Sequence, residues 1–231
     1  MATSQPDLAA GRGLVAVRIT LLNADGSRNC STTDTTAYTL CPQTLSVSEQ
    51  TEAGESQTIR CGSGSVFATY TTEDAVNSLE LNLTLVPVDI ELLALATGAT
   101  PLTSGGNIIG WSGGQNANAI PTEVHAWQEA YAGGAQSASP NSYWHHTWPH
   151  VKWRLSPANL EEGFNTISLI GKVSGNLNLG NGSFLDIPVE AFESSTHYHA
   201  RWRDNDVPVA TVAPYNNGLG GGYIDTPACT S

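Results

Sequence analysis

The chain is poor in charge. Only 13% of its residues are Asp, Glu, Lys or Arg, where soluble domains usually carry about a quarter. Lysine is scarcest of all, with Lys152 and Lys172 the only two. Nine basic residues against 21 acidic ones leave a formal net charge of −12. A protein that holds nucleic acid by its phosphates needs a Lys/Arg surface, so a general nucleic-acid binder is excluded. A polybasic membrane patch is excluded on the same ground.

Long hydrophobic runs are missing too. The stretch LVAVRITLL (14–22) is too short to span a bilayer, and Arg18 interrupts it. The opening MATSQPDLAAGRG has no basic n-region and no apolar h-region, so no targeting segment is expected. The chain is therefore expected to stay in a cytoplasm until it joins something larger. Three glycosylation-type triplets, at Asn29, Asn82 and Asn181, are read as chance matches in that setting.

Catalytic signatures are sparse as well. Cys30, Cys41, Cys61 and Cys229 show no C-x-x-C spacing, so thiolate zinc is not expected and reduced, structural thiols are. No G-x-S-x-G elbow occurs, and the nearest run, Cys61 to Ser65, lacks a strand-turn-helix setting. Glu73–Asp74 and Glu161–Glu162 adjoin in sequence, so in a strand their carboxylates face opposite ways and cannot share acid–base work. Gly218 to Gly222 lacks the lysine and helix of a phosphate-cradling loop.

The six histidines need weighing one group at a time. Tyr143 to His150 reads YWHHTWPH. If extended, it puts His146 and Trp148 on one face and His145 and Thr147 on the other, a poor metal pair. Pro149 argues against the helix that would align His146 with His150. His197 and His199 would share a strand face, but Arg201 and Arg203 continue that row and would repel a cation. No enzyme, cofactor or metal is expected.

What is present is β-structure. Val15, Val17, Ile19 and Leu21 alternate with Ala16, Arg18 and Thr20, the period of a sheet with one buried face. Leu79, Leu81, Leu83 and Leu85 do the same against Glu80, Asn82 and Thr84. Further alternation runs through Val66–Tyr70, Val151–Leu155 and Ile167–Val173. One short helix is expected, with Asp89 capping its start, Ile90, Leu92, Leu93 and Leu95 as its apolar side and Gly98 as its stop. Residues 23–40, 49–55 (EQTEAGE), 98–120, 133–142 and 216–222 read as long polar or glycine-rich loops. Several such loops in one domain suggest that partners order them.

The span SLELNLTLVPVDIELLALATG (78–98), preceded by an acidic loop and the glycine hinge RCGSGS (60–65), resembles the strand–helix unit of the major tail proteins of long-tailed bacteriophages. TWPHVKWRL (147–155) and GFNTISLIGKVSGNLNLGNGSF (163–184) resemble the second half of those tail tube subunits. The resemblance implies a two-sheet β-sandwich or barrel flanked by one helix, occupying residues 13–215 between an N-terminal arm (1–12) and a C-terminal arm (216–231). It implies a virion protein that forms stacked, hexameric rings around a lumen for DNA, after assembly in the host cytoplasm. Partners would be further copies of itself and the tape-measure, tail terminator and baseplate or tip proteins. DNA would pass without specific binding, and no membrane is involved. On this reading Glu49, Glu52 and Glu55 lie between rings or at the lumen wall, and Glu80, Asn82 and Thr84 face lumen or solvent. A lumen lined by carboxylates would repel phosphates and let DNA slide. Competing readings are a lectin-like or capsid-decoration binding module using Trp144, Trp148 and Trp153, a tail terminator or connector ring, and a metal-dependent enzyme using His197 and His199.

Overall fold

A computed structural model describes residues 10–29, 36–39, 42–52, 54–71, 75–85, 90–113, 120–132, 135–136, 143–156, 166–176, 198–204 and 221–224. In chain order the strands are β1 (Ala10–Leu21), β2 (Thr36–Thr39), β3 (Pro42–Glu52), β4 (Ser56–Arg60), β5 (Val66–Thr71) and β6 (Ala75–Leu85). Helix α1 (Ile90–Thr97) follows, then β7 (Thr100–Ser104), β8 (Asn107–Ser112), β9 (Thr122–Ala132), β10 (Ala135–Gln136) and β11 (Tyr143–Leu155). The last strands are β12 (Ile167–Val173), β13 (Ala200–Asp204) and β14 (Gly221–Ile224). The chain is mainly β, as its alternation implies.

Ten strands join one antiparallel sheet in the order β14-β2-β1-β9-β11-β12-β6-β3, with β10 on β9 and β13 on the first half of β11. The long strand β11 changes neighbour part-way: Tyr143–Thr147 pair with β13, and Val151–Leu155 pair with β12. Its pairing with β9 shifts register between Trp148 and Val151. Pro149 sits there, where it has no N–H to give to a ladder. Edge strand β3 packs against β1, five places away, so the sheet curls back on itself.

One apolar core forms on the inner side of this curl. Leu79, Leu81, Leu83 and Leu85 of β6 point into it, joined by Val17 and Ile19, Val124 and Ala126, Trp148, Val151 and Trp153, and Leu169. Helix α1 closes it with Leu92, Leu93, Leu95 and Ala96. The helix spans the expected residues and ends as expected: Gly98 takes φ +70° and donates its N–H to the Ala94 carbonyl at 2.7 Å. Asp89, the expected cap, lies outside the described residues. Gly171 is needed for packing, because a Cβ there would lie 2.5 Å from Val151 Cγ1 and 2.8 Å from Trp153 Cζ3.

Several expectations are corrected. Stretch 23–40 is not one loop: Leu22 bridges Arg28 around a turn, and Thr36–Thr39 form a buried strand. Residues 100–112 form the β7–β8 hairpin rather than part of a loop. Glu49 and Glu52 stand in strand β3, not in an acidic loop; only Gly54 and Glu55 are described between β3 and β4. RCGSGS is the turn of the β4–β5 hairpin, closed by Cys61 N–H to the Ser65 carbonyl at 2.8 Å. Arm boundaries move as well, since Ala10–Arg12 already pair with β9 and Gly221–Ile224 pair with β2. Strand β1 is buried on both faces rather than one.

Candidate assembly surfaces and a buried charge network

Strands β3 and β6 pair along their length, and their continuation β4–β5 leaves the sheet as a free-standing hairpin. At about 3.4 Å per residue, its five- and six-residue strands reach roughly 17–20 Å beyond the sheet. Every described residue from Glu55 to Thr71 is exposed. Apolar side chains nonetheless occupy both of its faces. Ile59 and Tyr70 lie on one, the latter 67% exposed, and Phe67, 76% exposed, lies on the other. The β7–β8 hairpin adds Leu102 and Ile109, also exposed.

The outer face of β3, β6, β12 and β11 is polar. Register places Ser48, Glu80, Lys172 and Lys152 in one row across the four strands. The next row is Ser46, Asn82, Ile170 and Arg154, and the third begins Thr44, Thr84, Ser168. Thr84 and Ser168 hydroxyls meet at 3.3 Å. Glu80, Asn82 and Thr84 therefore do share a face opposite the leucines, as expected, but it is not an acidic one. Among described side chains it carries three cations and one carboxylate. Glu49 is on the other face, across from Leu79, and is exposed at the rim of the core. Glu52 pairs in register with Ala75, and Glu55 is exposed beside the hairpin base. The structure thus separates Glu49 from the Glu80 row.

A charged network missed at the sequence level lies beneath β1, β9 and β11. Arg28 donates from Nε and a terminal nitrogen to the two carboxylate oxygens of Glu123, each at 2.6 Å, with both side chains wholly buried. His125 Nε2 also bonds Glu123, and His125 Nδ1 meets His145 Nε2 at 2.6 Å and Thr147 Oγ1 at 3.1 Å. Arg18, 2% exposed, lies over the Trp127 ring at 5.6 Å.

Proton placement follows from this geometry. Burial alone would raise the Glu123 pKa, but the Arg28 guanidinium and His125 outweigh it and hold the carboxyl well below its usual range. Glu123 is therefore anionic and acceptor-only, so His125 Nε2 carries the proton it shares. Burial, then the charge of Arg18, pushes His125 well below the usual imidazole range despite Glu123. A neutral His125 leaves Nδ1 to accept from His145 or Thr147. Sequence spacing could not reveal the set, because Arg28 and Glu123 are 95 positions apart. The one local signal was Glu123-x-His125 in an alternating strand.

The other histidines behave differently. His146 and Trp148 do share a face, opposite His145 and Thr147. His146 Nδ1 meets His199 Nε2 at 3.1 Å, and both rings stack on Trp148. His197 lies outside the described residues, as do Glu73, Asp74, Glu161 and Glu162. Among described residues no group of three metal-ligating side chains converges. Of the three tryptophans weighed as a sugar platform, Trp148 and Trp153 are buried and Arg201 lies over the Trp144 ring at 3.8 Å.

No family model matches the chain, and no curated protein matches it.

Proposed function

We propose that the chain is a structural subunit that polymerises, as stacked and hexameric rings, into the hollow tail tube of a long-tailed phage. The β4–β5 hairpin carries this reading. A projecting ribbon with Ile59, Phe67 and Tyr70 in water is not stable on its own account, since isolated hairpins are marginal and exposed aromatics gain nothing until covered. Covering such ribbons by the next ring makes the exposed residues into interface. Edge strands β3 and β14 support the same reading, because joining edges between neighbours removes the aggregation hazard each presents alone. The curl that brings β3 against β1 supports a β-sandwich or barrel as the repeating body. A contact between two different patches generates a ring or a filament according to whether its rotation closes.

On this reading the body includes the paired ends Ala10–Arg12 and Gly221–Ile224, so arms reaching to neighbours are confined to residues 1–9 and 225–231. Tape-measure, terminator and tip proteins set the length and ends, DNA passes through unbound, and the mature site is the virion tail. Electron microscopy of the concentrated protein tests this. Uniform hollow tubes are the expected result, and Phe67→Ser with Tyr70→Ser should suppress them while leaving the far-ultraviolet spectrum unchanged. A parent protein that remains a compact monomer at high concentration overturns the proposal.

A further inference from the structure

The chain's two lysines are direct cross-strand partners: Lys152 of β11 stands opposite Lys172 of β12, and both are exposed on the same face. Like charges placed directly opposite each other on a sheet are destabilising. Arg154, next along the same face of β11, adds a third exposed cation. Glu80 is the neighbouring carboxylate across from Lys172, yet none of Lys152, Arg154, Lys172 and Glu80 makes an ion pair among the described residues. Of the other cations whose side chains are described, Arg18 and Arg28 are buried, Arg60 is at the hairpin turn and Arg201 lies over Trp144. A chain of net charge −12 thus places three exposed cations, without an ion-pair partner among the described residues, on one wet face at a local cost in stability.

We propose that this face, Lys152, Arg154 and Lys172, docks on the acidic hairpin base, Glu49, Glu52 and Glu55, of a second copy of the chain. This rests on the assembling-subunit reading and names its electrostatic contact. Copies of charge −12 repel one another at long range, so a contact must form where opposite charges meet. The three glutamates fall within seven residues of sequence at the root of the projecting hairpin. Glu49 points to the opposite side of the sheet from the lysines, so it cannot satisfy them within one chain. The contact joins unlike patches, as ring or tube growth requires. A nucleic-acid partner fits less well, because the rest of the surface repels phosphate.

Charge reversal in three chains decides it, with critical concentration for tube growth and sedimentation velocity as readouts. K152E/R154E/K172E and E49K/E52K/E55K should each raise the critical concentration about tenfold or more, given the attractive charge pairs that become repulsive. Raised salt should weaken parental assembly in the same way. All six reversals in one chain restore complementarity and should restore assembly. Matching circular dichroism and melting curves verify that the variants fold. Parental tubes with either triple variant assembling normally overturn this contact and leave the subunit reading intact. So does a six-fold variant that fails while each triple variant folds. A parental protein that never self-associates overturns both. Salt-sensitive binding of linear double-stranded DNA, lost in K152E/R154E/K172E with assembly unchanged, also overturns it, by assigning the face to phosphate.

Discussion

The two halves of the sheet solve burial in different ways. Strands β6 and β12 have one dry apolar face and one wet face of Ser, Thr, Asn and Lys, and edge strand β3 adds only a part-buried Leu45, so the stability of this half rests on apolar packing from a single side. Strands β2, β1 and β9 are dry on both faces over Thr36–Thr39, Ala16–Thr20 and Thr122–Trp127, and the first half of β11 adds His145 and Thr147 to the second of these faces. Their second face is not apolar: it holds Arg18, Thr20, Thr36, Glu123, His125, His145 and Thr147. A buried polar face is tolerable only when its members satisfy one another, because an unpaired polar group in low dielectric costs far more than a hydrogen bond gains. The first half can therefore vary residue by residue, whereas the second stands or falls as a set. The first is available for contacts; the second holds the turn at 22–28 rigidly to β9.

Breaking the set should produce the largest effect. Arg28→Met leaves Glu123 as a buried anion with one neutral partner, and loss of about 3–5 kcal/mol is expected. Glu123→Leu alone strands Arg28 in the same way. The two changes together remove both charges and should recover most of that loss, since buried ion pairs are often replaceable by apolar residues of similar volume. Urea unfolding of the two single variants and the double variant checks this. Additive losses would show that the pair is not a unit.

Gly171 tests the one-sided half. It lies on β12 directly across from Trp153, with Val151 close by. Gly171→Ala must displace the indole or the strand, and about 1–3 kcal/mol of overpacking cost is expected. The indole has little room to yield, because its Nε1–H is donated to Thr122 Oγ1 at 3.0 Å. Thermal unfolding with tryptophan fluorescence would report both the loss and a shifted Trp153 environment.

How far these halves were legible follows from their chemistry. Leu79 to Leu85 declared a strand and its buried side because period-2 alternation is local, and Ile90 to Gly98 declared a helix because a leucine cluster and a glycine stop are local too. Strand β1 was legible as a strand but not as doubly buried: Arg18 and Thr20 look like a wet face unless the partners across the sheet are known. Thr36–Thr39 lay hidden among polar neighbours, and its burial depends on β1 and β14 flanking it. The Arg28–Glu123–His125–His145 set brings together residues from a turn and two strands, so no window of sequence contains it. Lys152 and Lys172 were conspicuous by their rarity, but only the β11–β12 register makes them opposite one another.

Acid should separate the halves without mutation. His125 is held below the ordinary imidazole range by burial and then by Arg18, and His146 down to about 3 by burial, then by His199, Arg201 and His145. Above pH 6.5 these groups are neutral folded or unfolded, so stability should be flat. Below 6.5 the unfolded chain takes up protons that the folded chain refuses, so stability falls with falling pH until the folded groups titrate near 3. A fully buried histidine costs about 1.4 kcal/mol per pH unit over that window. Denaturant midpoints from pH 8 to 4.5 should therefore bend downward near 6.5. A His125→Gln variant should show a shallower fall, and an unchanged slope would detach the network from the acid response.

The smallest effect is expected on the wet face, and its sign is the informative part. Lys152→Thr removes one of two opposed cations and supplies a β-branched residue on a strand whose neighbours on that face are already polar. The monomer should gain about 0.2–1 kcal/mol, a shift readable as a slightly raised urea midpoint. Tubes should simultaneously become harder to form, because the same change removes a cation from the proposed contact. Gain of fold stability with loss of assembly would show that Lys152 is kept for something other than folding. A variant that gains neither, or gains both, would return Lys152 to the status of an ordinary surface residue and narrow the proposed contact to Arg154 and Lys172.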